Sequence, residues 1–276
     1  MMNSLLTFTP RMNATCVRAA VLVLALALAG PVMAGPFEDS LAAYRRQDYG
    51  TAFRILKMMA DQGDAVSQGT VGYMYANGEG VPKDYTQAMK WYRLAADQGE
   101  ANSQQKLGYM FLNGYGVPKD YAQATKWYRL AADQGNAGAQ QNLGVMYERG
   151  YGVPKDYAQA MKWYRLAANQ GEASAQTNLG VMYERGYGVP KDYTQAMKWY
   201  RLAADQGDAG AQQNLGVMYA NGDSVPKDFV MAYMWLNLGA AGGEKLAQKN
   251  RDLVAARMTP AQVAEAQRMS REWKPR

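Results

Sequence analysis

Histidine is absent from the 276 residues, and cysteine occurs once, as Cys16. Zinc sites built of Cys and His, a Cys-His pair and a Ser-His-Asp relay are all excluded from the rest of the chain on inventory alone. No disulfide can form within it, and no metal or cofactor is expected. A long hydrophobic run is also missing. The apolar stretch at residues 19–29 is shorter than the roughly 20 residues a membrane-spanning helix needs. Neither sign of charge dominates, with 30 basic and 24 acidic residues.

What is present begins with a leader. Arg11 and Arg18 precede the apolar stretch with no acidic residue, and Val32, Met33 and Ala34 before Gly35 fit a small-residue cleavage site. Residues 1–34 therefore read as a signal peptide cleaved after Ala34, which places the mature protein in the periplasm or outside the cell. Translation from Met12 would leave a usable signal. Cys16 lies ahead of the apolar stretch, where it cannot serve as a lipoprotein anchor, and it departs with the leader.

The body of the chain repeats itself every 36 residues. Pro82, Pro118, Pro154, Pro190 and Pro226 keep this spacing, as do Trp91, Trp127, Trp163, Trp199 and Trp235. A period of this size signals a stacked array of helix pairs rather than one globular core. Within the unit at residues 153–188, Tyr157, Ala160, Trp163, Tyr164, Ala167 and Ala168 fall at helical spacings of three and four. Asp156 is placed to cap that helix, with Gln159 reaching back to the cap residue's amide, and Gly171 closes it. The other helix spans residues 173–185, with Ala175, Leu179, Met182 and Tyr183 on its apolar stripe. Gly180 stands inside that helix, and Gly108, Gly144 and Gly216 stand at the same place in their units. A mid-helix glycine costs roughly 1 kcal/mol relative to alanine. Its recurrence predicts close approach of a bulky neighbour such as Trp163 or Tyr164.

These residues resemble the Sel1-like repeats, relatives of tetratricopeptide repeats with a longer loop between the helices. The resemblance rests on Leu-Gly-x-Met-Tyr at 143–147, Gly-x-Gly-Val-Pro-Lys-Asp at 150–156, Ala-x-x-Trp-Tyr at 160–164 and Ala-Ala-x-Gln-Gly at 167–171, and it covers residues 48–243. It implies an all-α fold, a right-handed superhelical solenoid of antiparallel helix pairs. Some members tie each pair with a disulfide, which this sequence cannot do. The chain divides into the leader, an N-terminal capping partial repeat at 35–63, an array of about five units at 64–243, and capping helices at 244–276. In the tail, residues 245–258 read as a helix, and Thr259, Pro260 and Gln262 open another whose apolar side carries Val263, Ala266, Met269 and Trp273.

Charge and motif spacing narrow the function. Between residues 35 and 241 the basic and acidic residues number 20 each, and the mature excess sits in the tail, with eight basic against four acidic. Nucleic acid, which needs a clustered basic face, is not expected as a partner, and any membrane contact falls to the basic tail. Gly186-Tyr187-Gly188-Val189-Pro190-Lys191 is no phosphate loop, because it follows a helix and lacks the terminal Lys-Ser/Thr pair. Identical units repeat one surface, whereas an active site needs a unique constellation. Such a site would have to lie in residues 35–63 or 223–276, and no enzyme is expected.

Differences between the copies gather on one face of the first helix of each pair: at Lys106, Asn142, Asn178 and Asn214; at Tyr109, Val145, Val181 and Val217; and at Leu112-Asn113, Glu148-Arg149, Glu184-Arg185 and Ala220-Asn221, with charge in the middle of the ladder at Glu148, Arg149, Glu184 and Arg185. In the resembled superhelices the first helices line the concave groove. These residues are therefore candidates to hold a protein or peptide partner, as a scaffold in envelope assembly, signalling or host contact would. Peptidoglycan or exopolysaccharide is the alternative ligand, and the loop tyrosines Tyr115, Tyr151 and Tyr187 either stack on a sugar or pack locally. Cysteine-rich relatives linked with penicillin binding make a β-lactam-binding hydrolase the least favoured reading, given the missing histidine.

Overall fold

A computed structural model describes residues 35–275. The expected signal peptide lies outside the described residues. Among those residues there are 14 helices and no strand. Six helix pairs follow in chain order: α1 (Pro36–Arg45) with α2 (Tyr49–Asp61), α3 (Ala65–Asn77) with α4 (Tyr85–Asp97), and α5 (Ala101–Asn113) with α6 (Tyr121–Asp133). After them come α7 (Ala137–Arg149) with α8 (Tyr157–Asn169), α9 (Ala173–Arg185) with α10 (Tyr193–Asp205), and α11 (Ala209–Asn221) with α12 (Phe229–Ala241). Each of these packs on its neighbours in sequence, so the core is continuous along a solenoid. The last two helices, α13 (Lys245–Ala255) and α14 (Pro260–Glu272), break the alternation, since α14 turns back onto α12.

The apolar stripes lie where the spacing puts them. Ala175, Leu179 and Met182 of α9 are buried and Tyr183 is half-buried; in α8, Ala160, Trp163, Tyr164, Ala167 and Ala168 are buried. Full burial of a side chain such as Leu143 or Leu179 contributes about 1.5–3 kcal/mol. The mid-helix glycines admit a tyrosine of the following helix. A β-carbon on Gly144 would stand 2.5 Å from the Tyr164 ring, and one on Gly180 equally close to Tyr200. The bulky neighbour is thus the tyrosine of the Trp-Tyr pair, not the tryptophan, and at Gly216 it is Leu236.

Helix ends are only partly as expected. The Asp156 carboxylate accepts from the Gln159 amide at 3.0 Å, and Asp120 and Asp192 do the same in their units. The reciprocal bond, from the cap residue's N–H to the glutamine side-chain oxygen, is not formed in these units. That amide is already used: the N–H of Asp156 donates to the Tyr147 carbonyl near the end of α7, and Asp120 and Asp192 donate likewise to Phe111 and Tyr183. The cap residue thereby fastens the two helices of a pair together, which leaves the glutamine side-chain oxygen no cap amide to accept from. A full reciprocal box does form at Thr259 and Gln262, which open α14. Helix α13 stops at Ala255 rather than 258, because Arg257 and Met258 tighten into bonds three residues back.

Candidate functional site

The first helices α5, α7, α9 and α11 set the variable residues in consecutive rows. Lys106, Asn142, Asn178 and Asn214 are half-buried. In the next row Tyr109, Val145, Val181 and Val217 are also half-buried, and each packs against a core cluster. Arg149 and Arg185 are the exposed members of the last row. Burial pushes the Lys106 ammonium below its usual value. Arg185 is held above its usual value chiefly by a hydrogen bond with Tyr187.

Glu148 and Glu184 have a different task from their arginine neighbours. The Tyr164 hydroxyl donates to Glu148 at 2.6 Å, and that of Tyr200 to Glu184 at 2.5 Å. Burial, together with the carboxylate, pushes both phenols well above their ordinary values. Both carboxylates are therefore engaged with the core tyrosines that sit over Gly144 and Gly180. In α5 the same position is Leu112, and the buried hydroxyl of Tyr128 has no hydrogen-bond partner.

The loop tyrosines are also engaged. Tyr115 stacks on Tyr85, Tyr151 on Tyr121 and Tyr187 on Tyr157, with ring centroids 4.6–4.8 Å apart. Each loop tyrosine thus covers the first residue of the preceding unit's second helix rather than its own loop. Lys119 and Lys155 stand over the opposing Tyr121 and Tyr157 rings, at 5.9 and 4.6 Å from their centroids. Gly152, at φ +68°, passes directly over the Tyr121 backbone, so the loop glycine is fixed by this crossing.

One periodic feature escaped the sequence reading. Gln68, Gln104, Gln140, Gln176 and Gln212 are buried. Gln140 donates to the Ala132 carbonyl at 3.1 Å and accepts from Gln170 at 2.8 Å, and the pattern recurs along the array, for instance at Gln104 with Ala96 and Gln134. This ladder satisfies helix-end carbonyls and ties each unit to the next. Its 36-residue spacing was visible, but glutamine is ordinarily an exposed residue. The tryptophans Trp91, Trp127, Trp163 and Trp235 are buried, and Trp199 is half-buried. Arg93 lies over Trp127 and Arg201 over Trp235, at 4.9 and 5.3 Å.

Among the described residues no group of three or more His, Cys, Asp or Glu could hold a metal ion. No helix among them is long and apolar enough to cross a membrane.

Comparison with known proteins gives this geometry a family. The Sel1 repeat model matches residues 40–64, 67–100, 101–136, 137–172, 173–208 and 209–244. The chain is similar to a Sel1 repeat protein from Oxalobacter formigenes, with 32% identity, coverage of 85% of this chain and 96% of that one, and a TM-score of 0.76. It is also similar to c5321, a protective antigen present in uropathogenic Escherichia coli strains that displays an SLR fold. Identity there is 29%, coverage 87% of this chain and 61% of that one, and the TM-score 0.58. No curated protein matches the chain significantly. The chain belongs to the Sel1 repeat family.

Proposed function

We propose that this Sel1 repeat protein is an exported scaffold that holds protein partners along the variable rows of α5, α7, α9 and α11. The family's general role as a protein-interaction scaffold is the starting point, and the observation that carries the finer reading is register. Asn142, Asn178 and Asn214 recur in consecutive first helices beside Val145, Val181 and Val217, and exposed Arg149 and Arg185 stand at the ends of α7 and α9. An extended segment or a helix laid across these rows meets the same order of amide, small apolar and guanidinium groups in α7 and α9, flanked by Lys106 with Tyr109 on α5 and Asn214 with Val217 on α11. The groove this surface lines is the concave one if the helix pairs curve as in related superhelices. Export rests on residues 1–34, whose basic start, apolar stretch and Val32-Met33-Ala34 end fit a cleaved leader. Envelope assembly, signalling or host contact are the settings such a scaffold serves.

Photo-crosslinking in intact cells tests the surface, with probes at Val145 and Val181 and a comparison probe at Arg271. Capture of a discrete protein from the first two and not the third is the expected result. Capture from Arg271 alone moves the site to the basic tail. No protein adduct, with retention of the chain on purified peptidoglycan, replaces the protein partner with a glycan. Export is tested by the mass of the protein recovered from cell fractions: a periplasmic or secreted chain starting at Gly35 is expected, and an uncleaved chain in the cytoplasm contradicts it.

A further inference from the structure

The second helices carry a surface of their own. A cleft of about 450 Å³ opens between α2 and α4 over the floor of α3, lined by Lys57, Asp61, Gln87, Lys90, Trp91 and Leu94 among others. The 36-residue period repeats its outer wall. Lys90 recurs as Lys126, Lys162 and Lys198, all exposed, and Leu94 recurs as Leu130, Leu166 and Leu202, each 41–42% exposed. Leucines this exposed, at the same position of four successive second helices, form an apolar ridge flanked by lysine.

At the end of the array the α12 wall of the equivalent cleft is covered by helix α14: Ser270 Oγ donates to the Met234 carbonyl at 3.4 Å, and Gln267 donates to the Tyr233 hydroxyl at 3.3 Å. The Trp273 ring meets Trp235 edge-on at 6.2 Å, and Trp273 with Pro275 reaches across to Gly207 beyond the end of α10. The sequence changes where the cleft is covered. The positions of Gln87 and Lys90 become Met231 and Met234, and Leu238, the next rung of the ridge, packs with Met231, Met269 and Trp273. The molecule therefore displays two states of this cleft: at the end of the array its α12 wall carries methionine and is covered by an amphipathic helix, and at the start it stands open with lysine and glutamine walls.

Charge defines what the open clefts would take. The array is balanced in number, but its acidic groups are largely spent on helix starts, as at Asp84, Asp120, Asp156, Asp192 and Asp208. On the outer face α4, α6, α8 and α10 each offer an exposed lysine, Lys90, Lys126, Lys162 and Lys198, while Arg129 and Arg165 on the same helices donate to the Tyr147 and Tyr183 hydroxyls. Against the lysines stands one Asp at Asp97, Asp133 and Asp205, and none in α8, where Asn169 takes the place. We infer that the open clefts between successive second helices are docking sites for an acidic amphipathic helix of a partner protein, seated as α14 is seated on α12. The exposed leucine ridge takes its apolar side, and the flanking lysines take its carboxylates. This surface is distinct from the variable rows of the first helices.

The probe is a fluorescent peptide with the sequence of residues 259–275 carrying Arg268→Glu and Arg271→Glu, titrated into the full chain by fluorescence anisotropy. Saturable binding that weakens as salt rises is expected, together with about a tenfold loss in a Leu130→Asp, Leu166→Asp chain. These leucines are exposed, and circular dichroism confirms that the variant keeps its helices. A Lys126→Glu, Lys162→Glu chain should instead prefer the peptide with Arg268 and Arg271 intact. Equal affinity for the leucine variant and the parent chain overturns the proposal. So does failure of the peptide to bind while phosphatidylglycerol vesicles pull the chain down, an outcome that assigns the face to a lipid surface.

Discussion

Two junctions of the array differ by one carboxylate. Between α7 and α8, Tyr164 lies over Gly144 and gives its hydroxyl to Glu148. Between α5 and α6, Tyr128 lies over Gly108 in the same way, but Leu112 replaces the glutamate and the hydroxyl has no partner. The other units extend the comparison. Glu184 serves Tyr200, whereas in α11 and α12 the pair becomes Ala220 and Leu236: where the hydroxyl is lost, so is the carboxylate. A residue that varies between copies is therefore not always a recognition residue. Glu148 and Glu184 answer to the core first, whereas Arg149 and Arg185 beside them are exposed, Arg185 in a hydrogen bond with the loop residue Tyr187.

The steepest way to break the comparison is to fill the space beneath the tyrosine. Gly144→Ala puts a β-carbon 2.5 Å from a ring that is also tied to Glu148, and it should cost about 3 kcal/mol in equilibrium denaturation, against about 2 for Gly108→Ala. Removing the hydroxyl comes next. Tyr164→Phe should lose about 2 kcal/mol, the usual range for a hydrogen bond to a charged group, while Tyr128→Phe should be neutral or gain up to about 1 kcal/mol by deleting an unpaired buried group. Supplying the missing acceptor has a smaller effect: Leu112→Glu should raise stability by about 1 kcal/mol, and only while Tyr128 is present. The smallest change is Gly138→Ala, in the same helix as Gly144. There a β-carbon meets only side-chain ends, Gln105 at 3.2 Å and Asn136 at 3.6 Å, and a gain of roughly 0.5 kcal/mol is expected. A loss at Gly138 as large as at Gly144 would show that helix glycine in this array has a cause other than the tyrosine.

Much of the fold was legible because it is local or periodic. The span of α9 at Ala173–Arg185, the aspartate caps, the glycine beneath an aromatic ring and the Thr259 box all follow from spacings within one unit. What escaped depends on contacts between helices, within a pair or from one pair to the next. The Tyr164–Glu148 bond joins residues 16 apart in adjacent helices, and the stacked loop tyrosines and the glutamine ladder each reach 30 residues along the chain. Nothing in the local pattern tells whether a glutamate on a helix end faces solvent or the next helix. The return of α14 onto α12 was hidden for the same reason: its apolar side was plain, but the α12 wall it covers belongs to another helix pair.

Glu148 and Glu184 vary between units yet are answerable first to the core, and a double-mutant cycle between Glu148 and Tyr164 tests this most directly. Denaturation of the parent chain, Glu148→Leu, Tyr164→Phe and the double variant should give a coupling of about 1.5 kcal/mol or more, with a near-zero coupling in the matching cycle of Leu112→Ala with Tyr128→Phe. A coupling near zero at Glu148 and Tyr164 would contradict the claim and return Glu148 to the set of residues free to meet a partner.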